Sequence, residues 1–288
     1  VSEAPKAGAE QGFTLERRGR VALLSFCRPA RMNALTRDHL LAFGRTAREL
    51  GEDSEVRAVV ITGSGRAFSV GADLKAMQAR DGELFGSTVR FAGTALDFIG
   101  PLLEMPKPTI AAVNGIAVGA GLGIALACDI RLCGRSGAFL ANFRDHAIAA
   151  TDGVTYLLPR LVGIARTLEL LYSGERVDAE RALAIGLANH VHDDDLLLDE
   201  ALAFAEKCAT AGAVALQSAK MAVLRSEGKS WSEAVLQQEL AYLTTAVFGA
   251  ADMREAQAAR AERRAPDFRD ALPNAGPSGE QHRSPGKA

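Results

Sequence analysis

The stretch that decides the fold runs "KPTIAAVNGIAVGAGLGIALACDIRL", Lys107 to Leu132. An apolar run rich in β-branched residues is followed by Asn114-Gly115, then by glycines at 119, 121 and 123 ahead of a helix-like segment. A second strand-like segment, "DIRLCG", comes next. Short apolar runs alternating with helical patterns read as parallel strands covered on both faces. The glycines raise a chemical question. Glycine at a helix start lets another group approach the backbone, where the first N–H groups have no partner within the helix and the dipole adds partial positive charge.

The neighbouring segments extend the pattern. "FTLERRGRVALLSFCRP" predicts two short strands around a turn at Arg18–Arg20, and "TRDHLLAFGRTAREL" predicts a helix capped by Thr36. "RAVVITG" predicts a short strand ended by glycine, and Gly82–Glu104 suits one long helix. Beyond about Asp195 three helical patterns follow one another with no strand between them. Both ends of the chain are rich in proline, glycine and small or polar residues, so they are expected to lack fixed structure. The expected organisation is a disordered N-terminus over 1–12, an α/β core over 13–195, a helical C-terminal subdomain over 196–264 and a flexible tail over 265–288. No internal repeat is evident.

Composition narrows the function. The 288 residues are 48% hydrophobic and 24% charged with a formal net charge of −2, which gives no global attraction to nucleic acid or to an anionic membrane. The four cysteines (27, 128, 133 and 208) are scattered without a CxxC pair. They suit a reducing compartment and predict neither a disulfide frame nor a metal site. The opening "VSEAPKAGAEQG" has no apolar signal core, and no run of about 18 apolar residues occurs, so a cytoplasmic protein is expected.

Three phosphate-loop or nucleophile readings fail on spacing. Ile124 stands where a G-x-G-x-x-G fingerprint would need its third glycine, no G-x-x-x-x-G-K-[ST] occurs, and Ser69 lacks a G-x-S-x-G setting. What survives is donation by backbone N–H groups. Two such glycine turns, "GSGRAFSVGADL" (Gly63–Leu74) and "GAGLG" (Gly119–Gly123), facing each other would form a two-donor hole for a developing oxyanion. The plainer alternative is that the glycines only permit tight strand-to-helix turns.

"GRAFSVGADLKAM" followed by "KPTIAAVNGIAVGAGLGIALACDIRL" closely resembles the crotonase family, the enoyl-CoA hydratase/isomerase superfamily. "RPARMNALT" resembles the family's opening loop, "LLPRLVGIARTLELLYSGERVDAERALAIGLANHV" its central helical region and "DMREAQAARAERRAPDF" its C-terminal signature. The likeness spans roughly Phe13 to Phe268. It implies an α/β fold, a crotonase-like spiral of ββα units with a C-terminal helical trimerisation subdomain, assembling as a homotrimer or a dimer of trimers. It also implies an acyl-CoA thioester substrate, with no cofactor beyond the coenzyme A carried by that substrate. The thioester carbonyl would sit between the N–H groups of Ala72 and Ala120. Arg28, Met32, Ala34, Ala72, Asp73, Leu74, Lys75, Gly119 and Ala120 match segments that line the substrate and coenzyme pocket.

The chain also departs from the family. Hydratase members carry two glutamates, where this chain has Gly123 and Phe143. A hydrogen and a phenyl ring cannot serve as acid and base. The nearest carboxylate in the expected region is Asp152, eight residues before Arg160. Several subfamilies use an aspartate in this loop, and the offset most resembles a branch that hydrolyses β-diketones. Asp152 is therefore either the acid/base or a helix N-cap. His146 and Asp145 are second candidates, and Asp73 is expected to be a cap. Asp81 and Glu83 fall in a segment that covers the acyl chain in the family. Arg260 stands where relatives have phenylalanine and is either a coenzyme contact or part of a solvated helix face. An enolate-stabilising isomerase fits a single acid/base best. Hydration through a non-standard acid/base, β-diketone C–C hydrolysis, decarboxylation and non-catalytic acyl-CoA binding stay open. Binding of RNA is disfavoured, because the helix concerned offers only Arg37, Arg45 and Arg48.

Overall fold

The computed structural model describes residues 11–76 and 94–269. It divides into two compact units, the first ending at Ala211 and the second beginning at Gly212.

The first unit opens with β1 (Phe13–Arg18) and β2 (Val21–Phe26), then α1 (Arg37–Glu52), β3 (Ala58–Gly63) and β4 (Ala67–Ser69). After the segment outside the described residues come α2 (Thr94–Phe98), α3 (Gly100–Leu103), β5 (Thr109–Val113), β6 (Ile116–Val118) and α4 (Ala120–Ala127). Then follow β7 (Ile130–Gly134), β8 (Ala138–Leu140), α5 (Val154–Val162), α6 (Ile164–Ser173) and β9 (Arg176–Asp178). The unit closes with α7 (Ala179–Ala184), β10 (His190–His192) and α8 (Leu197–Ala209).

Two sheets result. One has the order β1-β2-β3-β5-β7-β10, parallel except for β1, and the other has the order β4-β6-β8-β9, parallel except for β9. Successive strands alternate between the sheets: β3 then β4, β5 then β6, β7 then β8. Each pair adds one turn to a spiral, so the pairing of β5 with β7 is repeated by β6 with β8.

The larger sheet shows its two-residue period in what it buries. Val21, Leu23, Ala58, Val60, Ile110 and Ala112 face α8, which meets them with Leu197, Ala201, Leu202 and Ala205. The alternate residues Ala22, Leu24, Val59, Ile61 and Ala111 face the main core with Phe26, Phe43 and Phe68. Thr36 caps α1 as expected, in a reciprocal capping box with His39.

Three expectations change. The boundary expected at 195/196 moves to 211/212, because α8 covers one face of the sheet and so belongs to the first unit. Of the long helix expected over Gly82–Glu104, residues 82–93 lie outside the described residues. The rest is two short helices, because Pro101 has no N–H to donate to the carbonyl of Asp97. The tail expected from 265 is tied down as far as Arg269: the Asp267 N–H donates to Glu255 and the Arg269 N–H to Asp252. Residues 1–10 and 270–288 lie outside the described residues.

The second unit contains α9 (Ala213–Ser226), α10 (Trp231–Phe248) and α11 (Ala250–Glu262). Ser230 and Glu233 form a capping box at the start of α10. Among the described residues no helix is long and apolar enough to cross a membrane.

Candidate active site

β4 and β6 are adjacent parallel strands, so the glycine turns that follow them come out side by side. A Cβ on Gly71 would lie 2.6 Å from the Val118 carbonyl oxygen and 2.9 Å from the Ala120 nitrogen. Gly71 (φ +78°) and Gly119 (φ +52°, ψ −121°) adopt backbone conformations that L side chains rarely take. The turn calls for glycine at both positions, and the close approach calls for it at Gly71.

The two donors are aimed by their own peptide planes. The Gly71 carbonyl accepts from the Leu35 N–H at 2.7 Å, and the Gly119 carbonyl from the Gly123 N–H at 2.9 Å. A trans peptide is planar, so fixing each carbonyl on one side sends the following N–H, of Ala72 and of Ala120, to the other. Among the described residues neither N–H donates to a protein acceptor. Ala120 opens the eight-residue helix α4, whose first-turn N–H groups and dipole add to the field there.

The Asp152 loop packs against the same helix. A Cβ on Gly123 would lie 2.2 Å from the Asp152 carbonyl oxygen and 3.1 Å from the Asp152 Cβ. The room at position 123 is thus taken by the Asp152 backbone, and the loop can sit there only because residue 123 has no side chain. Asp152 has φ +56°, in the left-handed region. Among the described residues its carboxylate caps no helix: the N-cap of α5 is Gly153. It accepts the Thr151 hydroxyl at 3.1 Å. Burial pushes the Asp152 carboxyl above the usual carboxylate range, against a smaller lowering by that hydroxyl.

The loop between β2 and α1 is bonded to the Gly71 turn, with the Val70 N–H donating to the Met32 carbonyl and the Asp73 N–H to the Leu35 carbonyl. Arg28 donates to the Ala34 carbonyl and pairs with Asp73 at 3.0 Å, so its guanidinium braces the site. Asp73 is buried and accepts the Ala76 N–H, the cap that the sequence predicts. Burial alone would raise its carboxyl, but the Ala76 N–H and Arg28 outweigh that and hold it below the usual range. Ala34 is buried, Met32 and Leu74 are half-buried, and Lys75 is exposed.

Asn33 falls within the Met32–Ala34 segment that the resemblance assigns to the pocket, but its bracing role was not read from the sequence. It is fully buried at φ +57°, and its amide nitrogen faces the carbonyls of Ser64, Ala67 and Phe68 at 2.9, 2.8 and 3.2 Å. Its side-chain oxygen accepts the Arg28 N–H. The available signal was an asparagine in a turn, a residue type that tolerates left-handed backbone.

His146 lies exposed on a single 3-10 turn, Phe143–His146, and among the described residues no hydrogen bond or ion pair joins it to Asp152. Asp145 pairs with Arg144 on the surface. Phe143 is buried, as a phenyl ring in a core should be. Arg260 is exposed on α11, while Asp81 and Glu83 lie outside the described residues. No group of three or more candidate metal ligands occurs among the described residues.

A spiral of paired strands, with two adjacent glycine turns that each leave a backbone N–H without a protein acceptor among the described residues, defines the class of fold. The comparisons show the family. Residues 16–271 match the family model described as enoyl-CoA hydratase/isomerase. A probable enoyl-CoA hydratase of Mycobacterium tuberculosis is 36% identical over 259 residues, 88% of this chain and 90% of that one. An (E)-benzylidenesuccinyl-CoA hydratase of Thauera aromatica is 34% identical over 260 residues, 90% of this chain and 99% of that one. The crystal structure of an enoyl-CoA hydratase from Bacillus anthracis superposes with a TM-score of 0.84 at 30% identity, covering 90% of this chain and 99% of that one. The chain belongs to the enoyl-CoA hydratase/isomerase family and has the crotonase fold; it is an acyl-CoA enzyme.

Proposed function

We propose that this enzyme moves a double bond within an enoyl-CoA by way of a thioester enolate, with Asp152 as its single acid/base. The Ala72 and Ala120 N–H groups take the thioester oxygen as it gains negative charge. Asp152 removes a proton from the carbon next to the carbonyl and returns it to the γ-carbon. One proton leaves, one arrives, and no water is consumed. The observation that carries the reading is the seating of Asp152 against Gly123. The carboxylate comes from the α5 loop, and the position of the first family glutamate has no side chain.

Supporting features are the carboxyl raised by burial, which suits a group that must both take and give a proton, and its freedom from a capping role. Arg28, Met32, Ala34, Asp73, Leu74, Lys75 and Gly119 are assigned to the wall of the substrate pocket, Arg28 and Asp73 as its brace. Coenzyme A enters as part of the substrate and no further cofactor is assigned. His146 carries no catalytic assignment. A homotrimer or dimer of trimers belongs to the proposal, as does a cytoplasmic location, where its four free thiols stay reduced.

Because the relatives bear hydratase names, hydration is the second reading. Incubation of a short 2-enoyl-CoA and a 3-enoyl-CoA in heavy water, followed by mass spectrometry, separates the two. Bond migration or deuterium uptake without added water, falling about 10²–10⁴-fold in Asp152→Asn, is expected. Added water would favour hydration, and no change in either substrate would favour a binding protein or a diketone substrate.

A further inference from the structure

We infer that Ser69 is a positioning residue of the oxyanion hole, its hydroxyl and carbonyl together locking the Ala72 turn to the Ala120 turn. The inference deepens the enolate reading and rests on it. Ser69 ends β4 and is fully buried. Its hydroxyl donates to the Asn33 carbonyl at 2.8 Å and accepts the Gly71 N–H at 3.2 Å. On its other side the backbone touches the first turn of α4, where a Cβ on Gly121 would lie 2.3 Å from the Ser69 carbonyl oxygen and 2.8 Å from its Cβ. One residue therefore touches both turns that present the donors.

The hydroxyl is spent on geometry. Its proton goes to a backbone carbonyl, and its lone pair takes a backbone N–H, so it is not poised as a nucleophile. The carbonyl bonds to Leu35 and Gly123 fix each donor plane, but they do not fix one plane relative to the other. Gly71 stands between them in a conformation of wide freedom, and the Ser69 hydroxyl is the side-chain group that holds its N–H. Without it the Gly71 N–H loses that partner, and the turn, with its Ala72 plane still held to Leu35, can shift against α4 and carry the Ala72 N–H off line. Oxyanion stabilisation depends on donors fixed before the charge appears, so a small loss of alignment falls on the transition state more than on binding.

The test uses the full chain as wild type, Ser69→Ala and Ser69→Cys. Isotope-edited infrared spectra of bound butyryl-CoA read the polarisation of the thioester carbonyl without turnover. The wild type should shift that stretch to lower frequency than in free butyryl-CoA. Ser69→Ala should lose at least half of the shift, with kcat for bond migration falling about 10–100-fold and KM changing less than about threefold. Ser69→Cys, with a weaker hydrogen-bonding group, should fall between them and serves alone if the alanine variant does not fold. A variant that folds with the full shift and an unchanged kcat would overturn the inference and leave the enolate reading standing. No shift in the wild type would overturn both.

Discussion

Asp152 carries two burdens that an ordinary loop aspartate does not. Its backbone is left-handed, and its carboxylate ionises in a place that burial makes unfavourable. Asparagine tolerates the same backbone and has no charge to desolvate, so Asp152→Asn should abolish proton transfer yet melt higher at neutral pH. The sign follows from linkage. A carboxyl raised by burial binds its proton more tightly in the folded state, so wild-type stability falls as pH rises from the unfolded value through the folded one. The variant lacks that loss. Scanning calorimetry should find it about 1–3 °C more stable at pH 7, with the gain shrinking as pH falls towards 4. A variant that is less stable at every pH would show that the carboxylate is structural. The sequence left Asp152 poised between cap and catalyst because both roles place a carboxylate just before a helix. The backbone removes the cap reading: Gly153, not Asp152, occupies the cap position. Arg28 was legible as part of the pocket loop but not as its brace, because its partners are a carbonyl six residues away and a carboxylate on another turn.

At the scale of elements, the larger sheet was legible because five of its six strands are five or six residues long and most read as unbroken apolar runs between turn residues. The smaller sheet was not. β4, β6, β8 and β9 have three residues each, too few to show a period, and β6 hid inside a run that reads as a glycine loop. Yet β4 and β6 are what bring the two turns together. The β2–α1 loop depends on a single side chain in the same way. Asn33 faces three carbonyls with its amide nitrogen, so Asn33→Asp, which keeps the tolerance for left-handed backbone, turns a donor into a fourth acceptor. Urea denaturation should show a loss of about 2–4 kcal/mol at pH 7. Part of it should return at pH 4–5, where a carboxyl raised by burial regains a proton it can donate. A change below about 0.5 kcal/mol would mean that the loop holds without the amide.

At the scale of the whole molecule, the second unit has too little to bury against itself. No residue of α10 is buried, and Leu236, Leu240, Leu243 and Val247 are 61%, 55%, 56% and 68% exposed. Their spacing of four, three and four residues sets them in one stripe along the helix, the pattern of an interhelical seam. A stripe of this kind left in water is an association surface. The sequence showed a helical pattern here but not which side faces outward, since α10 has apolar residues all round. We predict that the wild-type chain sediments as a multiple of one chain's mass, three or six, and that Leu240→Lys combined with Leu243→Lys sediments as a single chain. The first unit buries its own core over α1, α4 and both faces of the larger sheet, so the circular dichroism of the doubly substituted chain should stay close to that of the wild type. Sedimentation velocity across a tenfold range of concentration makes the check. If the substituted chain keeps the wild-type mass, the assembly rests on another surface and the stripe is not its seam. If it drops to one chain and also loses acyl-CoA binding, the pocket is completed across subunits.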